Sequence, residues 1–326
     1  MSELDVVDIA PLFGTDPSAH GATDDAIGAA ISRRGGFVVA GMPGSDCLDE
    51  LAGTALRFFD LPLRAKHAVA SRETDPAGPR VYRGYRSSLR EGAWAYNEMY
   101  DVGPRHPFPA PPVAGMDVFA EPNAWPDVEP CAGWREAMDR YYGLMLDVGT
   151  RVMLAAARWA GFDDSALARH YAEGNSTLRL LNYPLRPDGL TTMSDSASHD
   201  APGARIAAAA HTDVAGVSLL WQRDSGLQAQ GPDGDWHDVP RVPNTVSVHL
   251  GTVLEQMTEG RVRATPHRVL DLGTHRQSVG FFVEPSLATE IAAPRTGSPY
   301  GATYGWHLQE RFHSMRGFED LVPAPL

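Results

Sequence analysis

The sequence predicts a mainly β fold with flanking helices, its strands arranged as a sandwich or closed double sheet. Three observations predict it. From about residue 177 the chain breaks into short strand-like runs separated by turns: STLRLLNYP, IAAAAHTD, GVSLLWQ, LQAQG, DWHDVP, TVSVHL, HRVLDL and RQSVGFFVEP. Residues 1–175 carry helical spacing instead, with the longest run at 132–160. Gly and Pro number 32 and 26 in 326 residues, which suits a loop-rich globular protein and excludes a coiled coil.

Taken in order, residues 4–13 read as a short strand ending at Pro11, and residues 24–34 as a helix. GGFVVAGM at 35–42 reads as a strand after a glycine pair. Leu48, Leu51, Ala55 and Phe58 repeat at helical spacing, with Asp46 as the expected N-cap and Pro62 as the break. Residues 74–92 interleave Arg with Tyr82 and Tyr85 and read as loop with short strands. Residues 104–130 are Pro-dense and irregular. In 132–160, Trp134, Met138, Tyr141, Met145, Val148, Val152 and Ala155 form an apolar stripe, and Gly161 is the expected stop. A short helix follows at 164–172. In the β region, PDGDW at 232–236 signals a hairpin. Residues 188–204 are small and polar and read as a mobile loop. GTVLEQMTEG at 251–260 reads as a helical turn or two, and 303–317 as an amphipathic helix. No internal repeat or linker interrupts the chain. It is expected to form a single catalytic domain: a mostly helical 1–175 with the first strands, a β core over 176–286, and a tail over 287–326.

The net charge of −13 argues against nucleic acid or an anionic membrane as partner, since both need a basic surface. Two cysteines, Cys47 and Cys131, are too few for a disulfide framework or a thiolate metal site. The N-terminal residues lack the basic and apolar regions of a signal peptide, and no run of about 18 apolar residues occurs. A cytoplasmic protein is expected, of unspecified oligomeric state.

The chemistry concentrates at AAAAHTDVAGVSLLWQ, residues 207–222. His211 and Asp213 are two apart in a strand-like run, so the two side chains are expected on one face. His267 lies 54 residues after Asp213 in a second strand-like run. Two His and one carboxylate with open positions are the ligand set of non-haem Fe(II) oxygenases. Arg276 and Ser278 follow in RQSVGFFVEP, where Arg276, Ser278, Gly280 and Phe282 share one face. A guanidinium beside a hydroxyl is a clamp for a carboxylate.

With HTD at 211–213, HRV at 267–269 and R-x-S at 276–278, the chain resembles the isopenicillin N synthase-like branch of the Fe(II)/2-oxoglutarate-dependent oxygenases. Weaker echoes are GFVVAG, NEMYDVGP, PNAWP and NYP, so the resemblance spans nearly the whole chain. It implies a double-stranded β-helix, or jelly roll. It implies that His211, Asp213 and His267 bind Fe(II), and that Arg276 and Ser278, with Tyr183, hold the distal carboxylate of 2-oxoglutarate. O2 is the other cosubstrate. The implied reaction is oxidation of a C–H bond in a small molecule, by hydroxylation, desaturation, epoxidation or cyclisation, typically in secondary metabolism. The alternative is an oxidase of the isopenicillin N synthase type that uses no 2-oxoglutarate. One departure from the family pattern is His249, where an Asn often stands; it reads as a packed strand residue. Tyr82, Tyr85, Arg86 and Phe282 are candidate substrate contacts on position alone.

Overall fold

A computed structural model describes residues 3–111, 115–197, 204–292 and 302–313. Two sheets face each other. The first half of the chain supplies β1 (Asp5–Asp8), α1 (Pro17–Arg34), β2 (Gly36–Ala40), α2 (Leu48–Ala55), α3 (Leu63–His67), β3 (Gly84–Ser87), β4 (Glu98–Val102), α4 (Trp134–Trp159) and α5 (Asp164–Tyr171). The second half supplies β5 (Thr177–Tyr183), α6 (Met193–Ala197), β6 (Ile206–His211), β7 (Val217–Gln222), β8 (Leu227–Gln230), β9 (Trp236–Asp238), β10 (Val246–Leu250), α7 (Thr252–Met257), β11 (His267–Leu270), β12 (Arg276–Val283), β13 (Glu290–Ala292), β14 (Ala302–Thr303) and α8 (Tyr304–His313).

The large sheet runs β1-β2-β10-β7-β12-β5-β4-β3, and the small one β6-β11-β8-β9. Strands β5 to β12 cross from one sheet to the other at each connection except the β8–β9 hairpin and pair antiparallel, which is a jelly roll. β1, β2, β3 and β4 extend the large sheet at both edges.

Strand parity divides the large sheet into two faces. Leu178, Leu180, Leu219, Phe281 and Val283 point outward and are buried under the helices. The predicted stripe of α4 covers them: Trp134, Met138, Tyr141, Met145, Val148, Val152 and Ala155 are all buried. The contact is close, since a Cβ on Gly149 would stand 2.5 Å from Val283 Cγ2. Between the sheets, Val38, Leu227, Ala229 and Val269 close one end of the sandwich.

Several expected boundaries shift. α1 starts at Pro17, earlier than residue 24, because Asp16 caps it through Ser18 N and Pro17 occupies the first turn. Asp46 is not an N-cap: it lies in a 3-10 turn over Ser45–Cys47, and α2 begins after Cys47 with no side-chain cap. The 188–204 segment contains α6, and the part of it at 198–203 lies outside the described residues. α8 ends at His313 within them, so residues 314–317 of the expected helix lie outside too. The PDGDW turn joins β8 to β9 as expected, with Gly231 N donating to Asp235 O.

Candidate active site

The histidines reach the site from neighbouring strands of the small sheet. His211 ends β6 and His267 begins β11, and the two are register partners. Asp213 is not on the strand with His211, as its two-residue spacing suggested. It lies in the turn after β6, and its carbonyl accepts from Thr252 N at the start of α7. The turn nevertheless brings the three side chains together. Asp213 Oδ1 is 3.6 Å from His211 Nε2, and Oδ2 is 3.4 Å from His267 Nε2. All three ligand atoms lie within 4.8 Å of one another.

The surroundings test whether this set suits a metal. His211 Nδ1 is 2.7 Å from Ala209 O, and His267 Nδ1 is 3.1 Å from Thr265 O. A carbonyl only accepts, so each Nδ1 carries a proton, and in the neutral ring Nε2 presents a lone pair. Asp213 Oδ2 also accepts from Ser218 Oγ at 2.6 Å, which leaves Oδ1 for a cation. The His211 ring keeps 40% of its side-chain surface open, and the protein packed around the rest desolvates it. That confinement, and then the neighbouring His267, lower its pKa to about 4, with Asp213 opposing. Burial raises the pKa of Asp213, but the two imidazoles and Ser218 outweigh it and the group stays a carboxylate. Neutral imidazoles, an ionised carboxylate and fixed tautomers are what a divalent cation requires.

Arg276 stands at the start of β12, with Tyr183 opposite it on β5. Its Nη1 donates to Ser278 Oγ at 3.0 Å, its Nε to Ser225 O and its Nη2 to Gln222 Oε1. Tyr183 meets it through its ring, 5.3 Å from the guanidinium carbon. Arg276 is buried, and no carboxylate among the described residues lies within 4 Å of it. A buried cation without an anion is costly, so the arrangement fits a carboxylate of the cosubstrate.

The proposed substrate contacts separate. Tyr82, Tyr85 and Arg86, expected as substrate contacts from a loop with short strands, are all buried. Tyr85 is on the outer face of the large sheet, among Phe58, His67 and Tyr100, with its hydroxyl donating to Glu98. It cannot touch a substrate between the sheets. Tyr82 packs edge-on against Phe119 and Phe312. Arg86 faces inward and is ion-paired with Asp101. Phe282 faces inward and is partly exposed. His249 is a packed strand residue as expected, but its neighbour is the site: its ring is 4.8 Å from that of His267. Its Nε2 pairs with Ser247 Oγ, while Nδ1 is buried without a hydrogen-bond partner among the described residues. Ser218, Arg179 and Asp101 belong to this region and carry no local signal in the sequence, since only cross-strand register brings them in.

The chain is similar to known proteins over nearly its whole length. Residues 175–285 match the model of the 2OG-Fe(II) oxygenase superfamily. Residues 4–128 match that of the non-haem dioxygenase in morphine synthesis N-terminal region. The chain is 31% identical over 298 residues to the 2-oxoglutarate-dependent dioxygenase citB of Monascus ruber, covering 87% of this chain and 85% of that protein. It is 28% identical to isopenicillin N synthase of Streptomyces jumonjinensis, covering 97% and 95%. In fold it is similar to a full-length Neurospora crassa enzyme solved with alpha-ketoglutarate and thymine, with a TM-score of 0.72, 24% identity, and coverage of 94% and 96%. The chain belongs to the 2OG-Fe(II) oxygenase superfamily and is a non-haem Fe(II)- and 2-oxoglutarate-dependent dioxygenase.

Proposed function

We propose that His211, Asp213 and His267 hold the Fe(II), that Arg276 and Ser278 hold the distal carboxylate of 2-oxoglutarate, and that the enzyme oxidises a C–H bond of a small molecule of secondary metabolism. One observation carries the metal assignment: both imidazoles spend Nδ1 on their own backbone, so the two Nε2 lone pairs and the Asp213 carboxylate converge on one point. Iron bound there supplies the oxidising chemistry, with O2 and 2-oxoglutarate consumed and succinate and CO2 released. The chain's own part is to orient and to exclude water. Ser218 fixes the Asp213 carboxylate, the guanidinium of Arg276 fixes the cosubstrate, and the sheets enclose both. Tyr183 supports Arg276 through its ring face. A thymine-bound neighbour of the same fold is consistent with a small substrate. The acidic surface disfavours nucleic acid, and no described helix is long and apolar enough to cross a membrane, which supports a cytoplasmic enzyme. Strands from both halves of the chain build the large sheet, which supports a single catalytic domain.

Anaerobic reconstitution with Fe(II), followed by 2-oxoglutarate, tests these roles. A weak visible charge-transfer band is expected only when both are present. Arg276→Ala removes the buried charge pair, a loss of about 2–4 kcal/mol, and is expected to raise the 2-oxoglutarate KM at least 30-fold. An unchanged KM would remove Arg276 from the clamp. Loss of the band with iron still bound to the wild type would point to an oxidase that does not use 2-oxoglutarate.

A further inference from the structure

The inner face of the large sheet carries a charged group that the metal and cosubstrate assignments leave unused. Arg179 lies in the middle of β5, between Asp101 of β4 and Gly280 of β12. Its apolar neighbours on this face, Met99, Leu181, Leu220 and Phe282, are all partly exposed. Their alternating partners on the outer face are buried. An inward row stays open only where the facing sheet stands away from it, so these side chains wall a hollow. The iron site borders that hollow. Ser218, which donates to Asp213, is the direct cross-strand partner of Phe282. Arg276 is at the other end of β12, six residues from Phe282, or about 20 Å along the strand.

The guanidinium of Arg179 is fixed. Its Nε donates to Asp101 Oδ1 and its Nη2 to Oδ2, each at 2.8 Å, and its central carbon lies 5.2 Å from the centre of the Phe282 ring. This side-on pair uses one edge of the fork. The end-on edge, with one N–H from Nη1 and one from Nη2, has no protein partner among the described residues. Arg86 donates to the same Asp101 oxygen, so one carboxylate serves two guanidiniums. Glu73 stands 3.8 Å from Arg86 in a more exposed position, and does not reach Arg179. Burial works against the Arg179 charge, but Asp101 outweighs it, with a smaller contribution from Asp213.

We infer that the open edge of Arg179 anchors the substrate, and that the substrate is a small carboxylic acid with an apolar body. Two parallel N–H groups match two oxygens of one carboxylate, and a single carbonyl would leave one donor unpaired. The rest of the hollow offers Phe282, Leu181, Leu220 and Met99, which suits hydrocarbon. The carboxylate on Arg179 then places that body between Phe282 and the iron ligands. This inference rests on the iron and cosubstrate roles given above.

The test uses the whole enzyme with Fe(II) and saturating 2-oxoglutarate, without oxygen, so that Arg276 is already occupied. It titrates matched pairs, phenylacetate with phenylacetamide, cinnamate with cinnamamide and hexanoate with hexanamide. Binding is read from calorimetry and from the change in the charge-transfer band. At least one acid is expected to bind ten-fold or more tightly than its amide. Arg179→Gln is expected to erase that preference with an unchanged 2-oxoglutarate Kd, read from the same band. Arg179→Lys keeps a cation beside Asp101 but has no second edge; it should remain folded and lose most of the preference. Acids that bind no better than their amides, no acid binding at millimolar concentration, or a preference that survives in both variants would overturn the inference. A wild type that forms no band with 2-oxoglutarate would instead overturn the cosubstrate reading on which it rests.

Discussion

At the scale of single residues, the site is organised by groups that never touch the substrate. Ser218 donates at 2.6 Å to the Asp213 oxygen nearer His267 and so decides which oxygen faces the cation. Outer-shell partners of this kind typically account for 10- to 100-fold in metal affinity. Ser218→Ala is therefore expected to weaken Fe(II) binding by roughly that factor, measured by competition with a chromophoric chelator. Affinity equal to wild type would show that the turn after β6 holds Asp213 without help. The ligands themselves were legible because they form short patterns: HTD, HRV and R-x-S each put their key residues within three positions. Ser218, Asp101 and Arg179 were not. Arg179 and Asp101 are 78 residues apart and meet only through the β4–β5 register. Tyr85 and Arg86 show the same limit. They are adjacent in sequence, and alternation in β3 sends one to the helices and the other to the hollow. Nothing in the Arg-Tyr run marks where β3 begins, so its faces could not be assigned.

At the scale of elements, the corner between β10 and α7 fixes the backbone of the metal turn. Gly251 N donates to Gly216 O, Thr252 N to Asp213 O and Val253 N to Ala215 O, all between 2.9 and 3.1 Å. The chains approach so closely that a Cβ on Gly251 would stand 2.0 Å from Ala215 O. Backbone cannot rotate away as a side chain can. Gly251→Ala is expected to cost at least about 1–3 kcal/mol and to weaken iron binding, since Asp213 is tied to the displaced segment. Gly143, in α4, provides a contrast: a Cβ there meets nothing within 4 Å. Gly143→Ala should stabilise the protein by about 0.5–1 kcal/mol with no effect on iron. Thermal unfolding and iron titration of both variants check the pair. If Gly251→Ala is as stable as wild type, the corner is not rigid. The helical turn after residue 251 was readable from spacing, but the need for glycine was not, because it arises from a segment 35 residues earlier. The same holds for α6, read as a loop. Ser194 within it donates to Trp94 O and accepts from Ala209 N, contacts that only the folded chain supplies.

At the scale of the whole molecule, the buried carboxyl of Glu284 and the imidazoles of His211 and His249 set opposing pH dependences in the metal-free protein. Glu284 follows β12 and joins three elements: Tyr304 Oη of α8 donates to one oxygen, Thr177 Oγ1 of β5 to the other, and Arg83 donates in turn to Thr177. Burial pushes its pKa up to about 7, against the hydrogen bond from Tyr304 and the charges of Arg83 and Arg179. The folded state thus holds a proton that the unfolded chain releases near its ordinary value of 4.5. Stability from this group is present at low pH and is lost as pH rises from about 4.5 to about 7. His211 acts the other way. Its pKa falls from 6.5 to about 4 on folding, so its contribution is present above 6.5 and is lost as pH falls toward 4. Between pH 5 and 6.5 the two slopes oppose, and the lowered carboxylates, Glu98, Asp101, Asp195 and Asp213, remain ionised and contribute little change. His249, fully buried, has its pKa lowered well below 6.5 and adds to the His211 slope, so the apo wild type should lose stability there as pH falls, with Glu284 reducing the loss. Glu284→Gln keeps an acceptor for Tyr304 and removes the titration. The variant should lose stability more steeply than wild type as pH falls from 6.5 to 5, by at most about 1.4 kcal/mol per pH unit. Between pH 6.5 and 7 the variant should gain more stability than wild type as pH rises. Apo-protein denaturation across pH 5 to 8 measures both slopes. Profiles of identical shape would mean that Glu284 is already ionised in the folded protein near pH 5 and that Tyr304, Thr177 and Arg83 together outweigh its burial.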